Sequence, residues 1–161
     1  MKKFLFNYFG YISAILFSLI IICAFVLDFI GYQFRWQVTI TILSLIVTSS
    51  FLIQRQKLQE TKLFNKLFKD FNNRYDAMNE SLVRIKNKKE LCSEDESYLV
   101  DYFNLCAEEY LFKKKGYIPD DVWKSWENGM EFYMKDDKIK HLWIKEKKSE
   151  SYYGLEMPNC E

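Results

Sequence analysis

Two stretches without a charged side chain constrain this chain more than any other feature. No Asp, Glu, Lys or Arg occurs from Phe4 to Leu27 or from Trp36 to Gln54, although 28% of the whole chain is charged. A helix needs about 20 predominantly apolar residues to cross the hydrocarbon core of a bilayer. Phe9–Leu27 meets that length, and Trp36–Ile53, which carries several hydroxyls, lies near its lower limit. The segment DFIGYQFR (28–35) between them is long enough only for a tight turn, and Phe29, Tyr32, Phe34 and Trp36 suit an interfacial aromatic belt. The expectation is an all-α protein in which 1–8 form an N-terminal segment and 9–53 a two-helix transmembrane hairpin, with spans at 9–27 and 36–53.

A signal peptide competes for the first span, because Lys2 and Lys3 resemble its basic start. The apolar run is too long for a typical signal core, however, and no small-x-small cleavage site follows. LIIIC (19–23) hints at a lipoprotein box, but bulky Ile22 stands where a small residue belongs. Orientation follows from basic residues at the span ends. Lys2 and Lys3 precede the first span, and Arg55, Lys57, Lys62, Lys66 and Lys69 follow the second. Both termini are therefore expected in the cytoplasm of a bacterial cell, with the hairpin in the inner membrane.

Small and polar residues recur along both spans. Gly10, Ala14 and Ser18 are four apart, a small-xxx-small series that lets helices approach closely. Gln37, Thr41, Ser44 and Thr48 share one face of the second span. A polar seam in lipid needs partners in another helix or in water. Either the two seams pack on each other within the hairpin, or they join copies of the protein or line a polar path in a homo-oligomer.

Beyond Gln54 no Gly or Pro occurs until Gly116, so the second span is expected to continue as a helical stalk over 54–90. Phe64, Phe68, Phe71, Tyr75, Met78, Leu82 and Ile85 recur at alternating steps of four and three, a heptad stripe. Rings fit a two-stranded coiled-coil seam poorly, which favours packing of the stalk on distal helices of the same chain. FNNRYDAMN (71–79) lies inside this stripe despite its helix-averse Asn and Asp residues. Asn72, Asp76 and Asn79 form a polar line along one edge, and Arg74 flanks the other, four residues after Asp70. That line reads as a solvated shoulder, as a polar edge that docks the distal helices, or as a ligand site, with docking preferred to ligand binding.

A helical domain is expected over 91–148 and a flexible tail over 149–161. Ser93 opens S-E-D-E, a capping box with Glu96. Tyr98, Leu99, Tyr102, Phe103, Cys106, Tyr110 and Leu111 form a helical stripe, ending at Lys113–Lys115 before Gly116. After GYIPDD a further helix carries Val122, Trp126, Met130 and Tyr133 on one face, with Trp123 beside them. A short last helix starting at Asp136 or Asp137 carries Ile139, Leu142 and Trp143. Tyr102, Phe103, Trp123 and Trp126 are the expected distal core.

Charge divides this part of the chain. Residues 54–90 carry ten Lys/Arg against five Asp/Glu, and 91–161 carry ten against sixteen. Basic residues beside a span are attracted to anionic lipid, and ordinary positive-inside topology explains them equally. An acidic distal part argues against nucleic-acid binding. The four Cys are scattered, without CxxC, and His141 is the only His. That spacing predicts free thiols, and neither a disulfide framework nor a metal site. Glu108 and Glu109 are adjacent and diverge around a helix, so they form no presented acid pair. No phosphate-binding Gly-rich loop or serine elbow is present. No catalytic residue, cofactor or metal is expected. The expected partners are the lipid bilayer, a cytoplasmic protein and further copies of the chain.

LFKDFNNRYDAMNESL (67–82), DYFNLCAEEYLFKKKGYIPDDVWKSWENGM (101–130) and the two spans together resemble an uncharacterised family of small bacterial two-span membrane proteins with a helical cytoplasmic domain. The resemblance covers about residues 9–145 and brings no catalytic residues with it. The architecture is also similar to two-transmembrane effectors of antiphage systems, including retron-type systems, in which a soluble sensor activates a membrane toxin. That similarity implies a non-enzymatic membrane effector of abortive infection with a cytoplasmic sensing domain. A membrane-anchored adaptor for a soluble partner is the alternative, and a membrane-anchored enzyme the third reading.

Overall fold

The computed structural model describes residues 2–31, 36–147 and 152–158, with side chains from residue 8 onward. The expected belt residues Tyr32 and Phe34, the turn residue Arg35, and Cys160 lie outside the described residues. The described residues form five helices: α1 (Lys2–Phe29), α2 (Trp36–Asn87), α3 (Ser93–Lys114), α4 (Asp120–Met134) and α5 (Asp137–Lys147). Among the described residues there is no strand, so the chain is all-α. Two of these helices, α1 over Tyr8–Phe29 and α2, are long and apolar enough to cross a membrane. The chain divides into two units, Met1–Thr61 and Lys62–Glu161. The division falls inside α2, so most of the expected stalk (54–90) belongs to the distal unit.

In the first unit, α1 and the start of α2 meet as an antiparallel pair. Ser13, Ala14 and Phe17 share a groove with Ile46, Val47 and Ser50, while Phe25 meets Trp36 at the other end, ring centroids 6.1 Å apart. The buried residues along α1 and this part of α2 are Ser13, Ala24 and Thr39. Small side chains there let two helices approach, as packing in lipid favours. Leu19, Ile22, Ile40, Leu45 and Phe51 are exposed.

The distal unit is built on the stripe of α2, whose burial deepens along the helix. Phe68 is partly exposed, whereas Phe71, Leu82 and Ile85 are buried among Leu99, Tyr102 and Phe103 of α3 and Met130 and Tyr133 of α4. Trp126 stacks on Phe68 at 6.1 Å and meets Phe71 edge-on at 5.8 Å. Aromatic pairs at these separations add about 0.5–1.5 kcal/mol each beyond their buried area. The seven-residue pattern therefore serves intramolecular packing.

Helix ends follow local chemistry, with one shift. α3 closes in a Schellman arrangement: Tyr117 N–H donates to Phe112 O at 3.0 Å and Gly116 N–H to Lys113 O at 2.9 Å. Gly116 holds φ +80°, a backbone state that glycine adopts without strain. At the other end of α3 the expected Ser93–Glu96 box is displaced by one residue. Cys92 is the N-cap, and Asp95 accepts from its N–H at 3.1 Å. Asp95 also accepts from Lys88 Nζ at 2.7 and 2.8 Å. Asp95, buried and paired with Lys88, takes the third helical position, and Glu96 instead stands 3.8 Å from Lys145. Hydrogen bonds from Cys92 and Lys88 hold the Asp95 carboxyl well below the usual carboxylate range.

Within the expected tail, residues 152–158 pack on the core of the distal unit. Tyr152, Leu155 and Met157 are buried, and Tyr152 packs 4.7 Å from Trp143 and 6.4 Å from Phe103. Gly154, at φ +82°, turns the chain so that Leu155 N–H reaches Tyr152 O at 2.9 Å. Apolar residues in a short polar terminus gave no period to read, so their burial was not foreseeable from the pattern.

Candidate functional site

Within the distal unit, three helices leave a cavity of about 210 Å³ between them. α2 lines it with Asn72 and Tyr75, α3 with Tyr102, Leu105, Cys106 and Glu109, and α4 with Ser125, Trp126, Gly129 and Met130. Tyr102, Cys106 and Glu109 are four and three apart, which puts them on one face of α3. Trp126 and Met130 stand in the same relation on α4, with Gly129 beside them. An added Cβ at Gly129 would meet nothing within 4 Å. A helix-interior glycine costs about 1 kcal/mol relative to alanine, so α4 carries that cost without a steric need for it.

Two networks border the cavity. Arg74 donates to Glu108 Oε2 at 2.6 Å and stands 3.9 Å from Asp70. Donating that hydrogen bond to the Glu108 carboxylate raises the Arg74 pKa further. Tyr133 Oη donates to Asn79 Oδ1 at 3.1 Å and lies 3.4 Å from Tyr75 Oη. Burial raises the Tyr133 pKa.

Glu109 differs from its neighbour. It is only 6% exposed and makes no hydrogen bond or ion pair with any described residue. Burial pushes its carboxyl up to about 8, against the opposing pull of the Arg74 charge and with a smaller push from Glu108. The group is therefore mostly a neutral acid at neutral pH, able to donate one hydrogen bond and accept others. Burial likewise raises the Cys106 thiol and the Tyr102 phenol. A thiol held protonated in apolar surroundings is a poor nucleophile. His141 is exposed, with Nδ1 2.7 Å from the Asp137 carbonyl of its own helix. The described residues include no group of three His, Cys, Asp or Glu placed to share a metal ion.

The expected polar edge of α2 divides. Arg74 and Asn79 each reach a distal helix, Arg74 through Glu108 on α3 and Asn79 through Tyr133 on α4. Asn72 lines the cavity and donates to Phe68 O at 2.7 Å. Asp76 is exposed and takes no part in either network. Of the expected stripe, Phe71 and Leu82 are buried, Phe64, Tyr75 and Met78 are half-buried, and Phe68 is the most open. Tyr102, Phe103 and Trp123 are core, and Trp126 is half-buried at the cavity wall.

The expected membrane seams do not form the centre of the α1–α2 contact. Gly10, Ala14, Ser18, Gln37, Thr41, Ser44 and Thr48 are all exposed. Ser18 Oγ donates to Ala14 O at 3.0 Å and Thr41 Oγ1 to Gln37 O at 2.9 Å. Ser44 and Thr48 border an open groove with Phe17 and Val47, and their hydroxyls have no partner among the described residues. The period-four reading found small residues, but the neighbouring phase, with Ser13, Ala24 and Thr39, is the buried one. The cavity was missed because its essential group, Glu109, reads in sequence as half of an ordinary acidic pair. The chain matches no family model, no curated protein and no solved structure.

Proposed function

We propose that the protein is a non-enzymatic effector of the bacterial inner membrane, acting in the manner of abortive infection. α1 and the start of α2 cross the bilayer, both termini lie in the cytoplasm, and the helical unit from Lys62 onward receives a signal there. The hairpin responds by associating with other copies and disturbing the membrane. One observation carries this reading: the hydroxyls of Ser44 and Thr48 are exposed along an open groove and without partners among the described residues, on a helix apolar enough to cross a membrane. Unpaired hydroxyls in hydrocarbon gain from a partner in another helix. The exposed series Gly10, Ala14 and Ser18 supplies a surface that such a helix can approach closely.

Induced expression then depolarises cells, and the combined substitution of Thr41, Ser44 and Thr48 by Leu abolishes this while the protein remains in the membrane fraction. Harmless expression, with and without co-expressed neighbouring genes, defeats the effector reading. The adaptor reading draws on Phe132, half exposed on α4, as a contact for a soluble protein. It requires that another membrane anchor can replace the hairpin without loss of function.

A further inference from the structure

We propose that the cavity between α2, α3 and α4 is a binding site for a small organic cation, an alkylammonium paired with Glu109 and packed among aromatic side chains. Three observations converge on this class. The first is charge. Arg74 is already shared between Glu108 and Asp70, whereas Glu109 is buried, lines the cavity and has no directly paired cation among the described residues, only the longer-range pull of Arg74. The second is the wall. Tyr75, Tyr102 and Trp126 line the same space, and aromatic side chains grouped around a carboxylate favour ammonium ions. The third is size. A dry cavity of about 150 Å³ admits benzene, so about 210 Å³ suits a ligand of roughly eight heavy atoms.

Other ligand classes fit less well. An anion would meet Glu109 with no cation in the lining among the described residues. A hard divalent metal takes six or more oxygen ligands, and Glu109 is the one carboxylate in the wall among the described residues. Gly129 keeps the α4 side of the cavity open.

Occupation by a cation requires Glu109 to ionise, so binding releases a proton. The facing groups define the pH range. α2 presents Arg74, paired with Asp70, and the phenol of Tyr75. α3 presents Glu108, paired with Arg74, and the protonated Tyr102 and Cys106. The α4 lining residues Ser125, Trp126 and Met130 do not ionise. With the Glu109 carboxyl at about 8, affinity for a cation rises by one to two powers of ten from about pH 6 to about pH 9 and levels off above that.

The test is calorimetric titration of the full chain in alkyl maltoside micelles, which carry no ammonium group. The probes are choline, n-butylammonium and 3,3-dimethylbutan-1-ol, the neutral carbon analogue of choline. The expected result is that at least one cation binds more tightly as pH rises and the neutral analogue does not. Glu109→Gln should bind weakly with no pH dependence, and Gly129→Leu, which fills the cavity from a position with open space, should not bind at any pH. Equal binding of choline and its neutral analogue would overturn the proposal. So would pH-independent binding, retention of affinity in Glu109→Gln, or no binding of either cation at tens of millimolar and high pH. The readout is independent of membrane depolarisation, so either conclusion can fail while the other stands.

Discussion

Replacing Glu109 by Gln isolates the cost of keeping an acid in the cavity. The carboxyl moves from an ordinary 4.5 to about 8 because burial penalises its charged form. At 1.36 kcal/mol for each pH unit, this corresponds to a linkage of roughly 5 kcal/mol at most. The sign follows from proton counting. Between the two values the folded chain holds a proton that the unfolded chain has lost, so stability falls as pH rises. The contribution is fully present below about pH 4.5 and is gone once pH passes the folded value near 8. Glutamine has the same shape and never ionises, so the variant escapes this loss. Its melting temperature should sit close to wild type near pH 5 and exceed it by about ten degrees or more near pH 8, since 1 kcal/mol moves a unit of this size by roughly 4–8 °C. Tryptophan fluorescence during heating in micelles at the two pH values gives the comparison. Titration of other groups, such as Asp95, is shared by both proteins and cancels in the difference. A gap between variant and wild type that is the same at both pH values would refute a buried, unpartnered Glu109.

Four further outcomes test the packing. Phe71→Ala should cost about 3–5 kcal/mol, seen as a lower thermal midpoint, because the ring is buried against Phe112 and Trp126. Tyr133→Phe should cost about 1 kcal/mol through loss of the bond to Asn79, read in the same assay. Gly129→Ala should stabilise by roughly 0.5–1 kcal/mol, since its added methyl has open space, with no change in helix content by circular dichroism. Ending the chain after residue 150 removes Tyr152, Leu155 and Met157 from the core. At about 1.5–3 kcal/mol per buried side chain, proteolysis of the distal unit should then be markedly faster than in the full chain.

What could be read from the residues tracks how local the signal is. The uncharged runs fix α1 and the start of α2 by length alone, and the stripe from Phe71 to Ile85 fixes the buried face of the distal part of α2. Both depend on periods carried by the chain itself. The phase of a contact between two helices is less legible. Gly10, Ala14 and Ser18 share the spacing of a packing face with many alternatives one residue away, and only the partner helix selects Ser13 and Ala24. The Asn72–Asp76–Asn79 line shows the same limit. Its spacing is real, yet docking uses Asn79 and the flanking Arg74, Asn72 turns to the cavity, and Asp76 faces solvent. Which member acts depends on where Tyr133 and Glu108 arrive from distant helices.

Glu108 and Glu109 read as an ordinary acidic pair, yet the two residues occupy opposite environments. Two adjacent acids on a helix point about 100° apart, which rules out joint action on one substrate. The same divergence lets one serve the exterior and the other the interior. Glu108 sits at the half-exposed rim and holds Arg74 at 2.6 Å, a pair of that exposure being worth about 1 kcal/mol or less. Glu109, one residue on, turns into the space beside Tyr102 and Cys106. Arg74 already lowers its proton affinity, so replacing Arg74 by Gln should raise the Glu109 pKa still further and move any pH-dependent event in the cavity upward. A titration of the Glu109 carboxyl by carbon-13 NMR in wild type and Arg74→Gln would measure this directly. An unchanged midpoint would mean that Arg74 is electrostatically spent on Glu108 and Asp70, leaving burial alone to set the acid.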